Sequence, residues 1–255
     1  MIPELFSFGP IHLHSYGLLV AIGVASAIYF VKRNAQIQGL KPDLVIDIAT
    51  VVVLVSFLAA RLFYVALYFE YFLKAPLEIF MIWKGGLVLY GGWLGGLLTF
   101  YLFALSKQIS FLRLLDLFVP AIAVAQGFGR VGCFLNGCCY GTETELPWGI
   151  KYAFLAAKVH PTQLYESLFC FALAGFLFWI TSKQPKPGVI SGFHFLFYGV
   201  GRFFLEFIRG DQSRSFFNLT LPQVMSIFIV TSGIILLLKA YYGYGSRSKL
   251  LHRSA

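Results

Sequence analysis

Charged residues are scarce in this 255-residue chain, at 12% of the total, about half the share that covers the surface of a soluble protein. This shortage argues against a soluble enzyme, a disordered chain and a nucleic-acid-binding module. Hydrophobic residues, by contrast, make up 58% of the chain and aromatic residues 18%. Many of them fall in apolar runs long enough to span a bilayer. We therefore expect an all-α integral membrane protein.

Cysteine is also scarce, and four copies are too few for a disulfide-braced scaffold. The chain has no Walker motif, no HExxH and no CxxCH, so we expect no nucleotide, metal or haem cofactor. The net charge of +9 is better explained by membrane topology and anionic lipid headgroups than by nucleic acid.

Seven apolar runs have the length of a transmembrane helix. They are Tyr16–Val31, Leu44–Phe69, Leu87–Leu105, Leu114–Phe128, Thr162–Thr181, Val189–Ile208 and Leu221–Ala240. Lys32 and Arg33 directly follow the first run, and eleven Lys and Arg residues fall on that side of the membrane against seven on the other. The positive-inside rule therefore predicts an outside N-terminus and a cytoplasmic C-terminus. Residues 1–255 are expected to form a single seven-span domain, with an ordered outer-side loop at about 129–161.

Ionisable residues inside or beside the predicted spans gather toward the outer face. Each costs about 2.5–3.5 kcal/mol at mid-bilayer, which makes it a candidate functional residue. Arg202 and Glu206 lie late in an outward-running span, and their i,i+4 spacing allows them to pair. Glu166 lies one turn into a span that begins outside, and Arg130 follows a span that ends there. Because guanidinium groups bind phosphate bidentately, such a pocket suits an anionic phospholipid headgroup.

Structural explanations compete with these functional ones. The i,i+4 pair could serve stability alone, and Arg61 in the second span could extend to the outer headgroups. Tyr16 and Tyr90 open their spans at the outer face, where interfacial aromatic residues are common. Close helix packing is predicted by two overlapping GxxxG patterns, Gly91/Gly95 and Gly92/Gly96.

Two motifs are more specific, GRVGCFLNGCCYG at Gly129–Gly141 and HPTQLYES at His160–Ser167. The glycines of the first predict a tightly folded backbone whose amides face an anion. Together with GRFFLEFIRGD at 201–211, Ser15-Tyr16-Gly17, Tyr90-Gly91-Gly92 and the seven-span layout, these motifs resemble the bacterial prolipoprotein diacylglyceryl transferases. The resemblance covers nearly the whole chain.

The resemblance implies an enzyme of the bacterial cytoplasmic (inner) membrane, active near the outer leaflet, in lipoprotein biosynthesis. Such enzymes transfer the diacylglyceryl group of phosphatidylglycerol to the lipobox cysteine of a prolipoprotein, which forms a thioether and releases glycerol 1-phosphate. The implied partners are thus phosphatidylglycerol, prolipoprotein signal peptides and the bilayer, without nucleic acid. The phospholipid-binding residues would be Arg130, Arg202, Tyr16, Asn136 and Gly141, and the catalytic residues Arg202, Glu206, Tyr90 and His160. The last group contains the candidate bases, considered in the order Glu206, His160, Tyr90.

The chain departs from the family signature at Cys133 and Cys138, where the family usually has Asn and Glu, and at Tyr90, where it often has His. With Cys139, the two cysteines allow a disulfide that braces the loop, free packing thiols, a zinc site with His160 as fourth ligand, or a redox-active pair. The redox pair leads to one alternative function, a membrane thiol oxidoreductase. The other alternative is a lipid or anion transporter, although transporters usually bind at the membrane midplane.

Overall fold

A computed structural model describes residues 4–8, 11–81, 85–210 and 218–251. Two short strands, β1 (Glu4–Phe8) and β2 (Ile11–His14), pair antiparallel. The remaining regular structure is helical: α1 (Ser15–Ile37), α2 (Pro42–Leu67), α3 (Phe69–Lys74), α4 (Leu89–Ser106), α5 (Phe111–Asn136), α6 (Thr162–Thr181), α7 (Val189–Leu205) and α8 (Leu221–Leu251), with 3-10 turns at Pro76–Phe80 and Glu206–Ile208. The predicted all-α class is therefore confirmed.

Five of the described helices are long and apolar enough to cross a membrane: α1, α2, α5, α6 and the Leu221–Tyr242 part of α8. The other two predicted spans are also helical, since α4 has 18 residues and α7 has 17. The count of seven spans and the orientation of the termini stay predictions at this point.

Large apolar side chains cover the outside of the helices. Along α2, Leu54, Leu58 and Leu62 recur every four residues and are 59%, 60% and 62% exposed. Along α4, Leu94 and Leu98 form a similar stripe. Water would make such continuous apolar surface unfavourable, whereas lipid tails contact it without cost. The surface therefore agrees with the membrane assignment.

The loop after α5 begins later than predicted. Because α5 continues to Asn136, the segment from Gly129 to Asn136 is helical and the connection to α6 covers only 137–161. The expected folded, amide-lined backbone is therefore wrong for this segment. Gly132 instead allows α1 to approach α5, since a Cβ there would lie 3.1 Å from Cδ2 of Tyr16.

The described residues divide into two compact units, 1–34 with 116–255, and 35–115; the prediction of one domain is not tested by this division. In the first unit, Ala123, Val124 and Ala174 form a buried cluster between α5 and α6. Asp116, in the second turn of α5, is buried against the start of α7. Its carboxylate accepts hydrogen bonds from the backbone amides of Gly188 (2.6 Å) and Ser191 (2.7 Å). It thereby satisfies amides that a helix N-terminus leaves without partners.

In the second unit, α2 packs closely on α4 through the predicted glycine pattern. A Cβ at Gly91 would lie 2.7 Å from the carbonyl oxygen of Ala59, and one at Gly95 would lie 2.5 Å from the Ala59 Cβ. Both distances are too short for any larger side chain in this backbone arrangement. The prediction that these glycines serve close helix packing is confirmed.

Arg61, also in the second unit, does not extend to headgroups as one interpretation expected. Its side chain is 6% exposed and donates hydrogen bonds to the carbonyl oxygens of Glu78 (2.6 Å), Ile79 (3.0 Å), Gly85 (2.6 Å) and Gly86 (2.9 Å). The first two carbonyls belong to the 3-10 turn at Pro76–Phe80 and the other two to the residues just before α4, so the side chain supplies donors to backbone acceptors of both segments. Arg61 therefore holds both segments against α2.

Candidate functional site

The first buried ion pair of the site joins α5 to α6. Nε of Arg130, in the last part of α5, lies 3.0 Å from Oε1 of Glu166, in the second turn of α6. The Tyr198 hydroxyl of α7 donates to the same oxygen at 3.2 Å and accepts a hydrogen bond from the Gln126 amide. Because Glu166 is 4% exposed, these donors offset much of the cost of removing its charge from water.

The second ion pair lies at the end of α7. Nη2 of Arg202 is 2.7 Å from Oε2 of Glu206, and Nε of Arg209 is 3.8 Å from the same oxygen. The Thr220 hydroxyl donates to Oε1 of Glu206 at 2.9 Å. The pairing predicted from the i,i+4 spacing is therefore confirmed. Nη1 of Arg202 is buried and has no hydrogen-bond partner among the described residues.

A cavity of about 310 Å³ is lined by one member of each ion pair, Glu166 and Arg202. Its polar lining comes from Glu166, Tyr198 and Arg202, together with Tyr165. The rest of its wall is apolar or lacks a side chain and consists of Phe169, Gly201, Phe204, Leu205 and Ile208. The site thus combines a charged end with an apolar wall between α6 and α7.

Backbone hydrogen bonds at Gly141 and the next residue hold the 137–161 connection next to this site. The Gly141 amide donates to the carbonyl oxygen of His160 at 2.9 Å, and the next amide, of Thr142, donates to that of Ile208 at 2.8 Å. A Cβ at Gly141 would lie 2.6 Å from the Ile208 oxygen. Nδ1 of the half-buried His160 lies 3.4 Å from the Tyr165 hydroxyl. Gly141 and His160, both predicted site residues, are therefore direct neighbours.

The other predicted site residues are spread more widely. Tyr16 is 44% exposed in the first turn of α1, beside Gly132. Asn136 is exposed at the end of α5, two residues before Cys138. Tyr90 is 39% exposed in the first turn of α4, in the second unit.

Cys133, Cys138 and Cys139, which we call the thiol cluster, have their sulfur atoms within 4.8 Å of one another. All three are half-buried free cysteines, so the disulfide predicted as one alternative is absent from this described segment. Interaction with the neighbouring thiols of Cys133 and Cys138 lowers the pKa of Cys139, with a further contribution from the positive charges of Arg209 and Arg130. For Cys138, interaction with the Cys133 thiol lowers the pKa, but interaction with the Cys139 thiol and burial outweigh that effect and raise it.

Sequence reasoning missed several partners of the site. Gln126 and Tyr198 lie in apolar runs without a motif, and only the rarity of a polar amide in such a run could have drawn attention to Gln126. Arg209 follows Glu206 by three residues, a spacing that places both on one helix face. Thr220 is separated from Glu206 by residues outside the described ranges, and no sequence signal connects the two.

These features define a helical membrane protein with a partly apolar cavity that is lined by Arg202 near the end of α7. A sequence model of the prolipoprotein diacylglyceryl transferase family matches residues 3–239. The chain belongs to this family.

Individual relatives support the assignment over the same length. The chain is 36% identical over 239 residues to the phosphatidylglycerol–prolipoprotein diacylglyceryl transferase of Clostridium tetani, which covers 92% of this chain and 96% of the relative. It is 34% identical over 253 residues to the enzyme of that name from Synechococcus elongatus, and the alignment covers 94% of this chain and 87% of the relative. It is 31% identical over 256 residues to that from Bacillus velezensis, and the alignment covers 96% of this chain and 94% of the relative.

The opposite pKa directions of Cys138 and Cys139 predict different alkylation behaviour. Only the thiolate reacts with iodoacetamide. As the pH falls from about 8 to about 6, both below the reference thiol pKa of about 8.5, Cys139, with its lowered pKa, should therefore lose less of its rate than Cys138. Cys138, with its raised pKa, should slow about tenfold per pH unit. Mass spectrometry of the chelator-treated protein would follow each site. Buried Cys170 is the control and should stay unlabelled; equal slopes at Cys138 and Cys139 would contradict the prediction.

Proposed function

We propose that this protein transfers the diacylglyceryl group of phosphatidylglycerol to the lipobox cysteine thiol of prolipoproteins, forming a thioether and releasing glycerol 1-phosphate. Membership of the family favours this activity over thiol oxidation and over transport. The structural observation that carries it is the Arg202 side chain, which is buried in the cavity wall with Nη1 free of partners among the described residues. A buried guanidinium donor requires an acceptor, and a phosphate oxygen is a suitable one.

The charges around Arg202 agree with an anionic headgroup. Glu206 neutralises only one of the two arginines near it, since both Arg202 and Arg209 approach its Oε2. Arg130 adds a further guanidinium, which is bound to Glu166 through Nε. Three arginines against two carboxylates leave an excess positive charge, which attracts phosphate in a site of low dielectric constant.

The apolar wall agrees with the lipid part of this substrate. Phe169, Phe204, Leu205 and Ile208 line the cavity next to Arg202. At about 310 Å³, the cavity is at the lower end of the range of ligand pockets. It would therefore hold the headgroup and the glycerol with the beginning of an acyl chain, and the rest of both chains would lie in the bilayer.

In the proposed reaction, the sulfur of the peptide thiol bonds to the glycerol carbon while the bond from that carbon to the phosphate oxygen breaks. The nucleophile comes from the peptide, so the enzyme has to orient the lipid and stabilise the leaving phosphate. Arg202 and Arg130 would stabilise the negative charge that develops on that oxygen. Tyr16, Asn136 and Gly141 would complete the lipid-binding region at the ends of α1 and α5 and in the loop.

A base must accept the proton of the peptide thiol. Glu206 was the first candidate, but its Oε1 accepts a hydrogen bond from Thr220 and its Oε2 forms ion pairs with Arg202 and Arg209, and we propose that it positions Arg202. His160 is the better candidate, because imidazole is the side chain suited to proton transfer near neutral pH. Its Nδ1 contacts Tyr165, which lines the cavity. Tyr90, in the first turn of α4, stays the third candidate base.

Substitution of Arg202 tests the phosphate-binding role. Arg202→Lys retains a positive partner for Glu206 but loses the planar fork, so we expect the transfer rate to fall by about 100-fold, as for the loss of one preorganised donor. The assay would combine purified protein, phosphatidylglycerol and a lipobox peptide, and mass spectrometry would quantify the diacylglyceryl adduct.

Arg113→Lys is the matched control, since Arg113 is exposed and bonds only the Gln38 carbonyl oxygen among the contacts described. It should keep the wild-type rate. A folded Arg202→Lys protein with full activity would contradict the role of Arg202, and absence of adduct from the folded wild-type protein would overturn the proposed function itself.

Substitution of His160 tests the proposed base. His160→Gln removes the proton acceptor and keeps a polar side chain of similar length, so we expect kcat to fall by about 100-fold with little change in KM for phosphatidylglycerol. His14→Gln, at an exposed histidine, is the control. An unchanged kcat in folded His160→Gln would exclude this residue as the base.

For the topology, we propose seven spans, namely α1, α2, α4, α5, α6, α7 and α8, with the N-terminus outside and the C-terminus in the cytoplasm of a bacterial inner membrane. The excess of Lys and Arg on one side supports this orientation. The end of α5, the start of α6 and the end of α7 would then lie at the outer face. The Arg130–Glu166 pair joins the first two of these helix ends, and the Arg202–Glu206 pair lies at the third, which supports an active site near the outer leaflet.

Labelling of introduced cysteines tests the orientation. In a background with all four natural cysteines replaced by serine, Lys158→Cys in the connection before α6 should react with a membrane-impermeant maleimide in intact cells. Lys107→Cys, at the exposed end of α4, should react only after permeabilisation, because it would face the cytoplasm. The reverse pattern would contradict the proposed topology.

A further inference from the structure

The thiol cluster is created by the way α5 ends. Gly137 follows the helix with a φ of +74°, in the left-handed region that glycine adopts without strain. The turn brings the chain back, so that the Cys138 amide donates to the carbonyl oxygen of Cys133 at 3.2 Å and the Cys138 thiol donates to the same oxygen at 3.6 Å. Cys139 also has a positive φ, of +63°. The three sulfur atoms are therefore gathered by the backbone itself.

The spacing of these sulfur atoms is close to that of a metal site. All three lie within 4.8 Å of one another, and ligands at the usual zinc–sulfur bond length of about 2.3 Å in tetrahedral directions are about 3.8 Å apart. Side-chain rotation of half-buried residues can supply the difference. Among the described residues, no further His, Cys, Asp or Glu joins this group, so the alternative in which His160 is a fourth ligand is not supported.

The charges near the thiol cluster suit a metal bound by thiolates. Three thiolates around one divalent ion carry a net charge of −1, and around one monovalent ion −2. Arg130 and Arg209 both act electrostatically on Cys139. Each is also paired with a glutamate, Arg130 with Glu166 and Arg209 with Glu206, so the two guanidinium groups offset part of the negative charge of such a complex, which is otherwise costly in a half-buried position.

We propose that the thiol cluster binds one thiophilic d10 metal ion, Zn(II) or Cu(I), through the sulfur atoms of Cys133, Cys138 and Cys139. Soft thiolate ligands select these ions. Three sulfur–metal bonds form, the thiol protons pass to solvent, and no oxidation state changes. Zn(II) would take a water molecule as its fourth ligand, whereas Cu(I) accepts three sulfurs alone. The site differs from the sequence-based expectation of no metal, and it is independent of the proposed transfer reaction.

The test uses the full-length protein in detergent, reduced and freed of metal with a chelator, and titrated with Cd(II) alone as a spectroscopic probe. We expect the thiolate-to-Cd(II) charge-transfer absorption to saturate at one equivalent, and Zn(II) to displace the Cd(II). Cys139→Ser and Cys138→Ser should each weaken binding by about tenfold or more. Loss of a partner that only hydrogen-bonds a ligand already costs about tenfold, and loss of a ligand itself should cost at least as much. Cys170→Ser, at a buried cysteine outside the thiol cluster, should bind as the wild type does.

A second measurement requires no substitution. Bound Zn(II) should protect Cys133, Cys138 and Cys139 of the wild-type protein from alkylation, as mapped by mass spectrometry, and should raise its Tm through preferential binding to the folded state. Absence of saturable Cd(II) binding would overturn the proposal. Binding of equal affinity in folded Cys139→Ser, or alkylation unaffected by Zn(II), would overturn it as well. None of these readouts depends on transfer activity, so the two proposals can fail separately.

Discussion

The need to compensate buried charge governs the arrangement of α5, α6 and α7. Removing one partner of a buried ion pair leaves a charge uncompensated, at a cost of about 3–5 kcal/mol. Glu166 receives Arg130 from α5 and the Tyr198 hydroxyl from α7, so one carboxylate joins three helices. The consequence is a fixed position for the guanidinium groups, which a site for an anionic headgroup requires.

The same requirement for polar partners fixes the connection between α5 and α6. Backbone groups near a membrane surface must be satisfied within the protein wherever water is excluded. The first turn of α6 supplies these partners, since the Gln163 amide donates to the carbonyl oxygen of Cys138 at 2.6 Å and the Thr162 hydroxyl donates to that of Cys139 at 2.8 Å. The HPTQLYES motif therefore holds the thiol cluster in place as well as contributing His160 and Glu166 to the site.

Much of the fold could be predicted because helices are encoded locally. The predicted span Thr162–Thr181 has the same bounds as α6, whereas the span Leu114–Phe128 was too short at both ends compared with α5. The glycines after Phe128 suggested a loop. A glycine inside a helix is read correctly only when the neighbouring helix is known, as with Gly132 against Tyr16. Arg61 was ambiguous for the same reason, because its carbonyl partners belong to segments later in the chain.

The sequence by itself determined the membrane class, the approximate helices, the Arg202–Glu206 pair and the resemblance to the family, since each depends on composition or on neighbouring residues along one helix. Only the tertiary structure decided that Arg130 pairs with Glu166, that Arg202 borders a partly apolar cavity, and that three half-buried thiols meet at the end of α5. Those contacts join segments distant in the chain or depend on a single left-handed turn, and they form only when helix packing brings the side chains together.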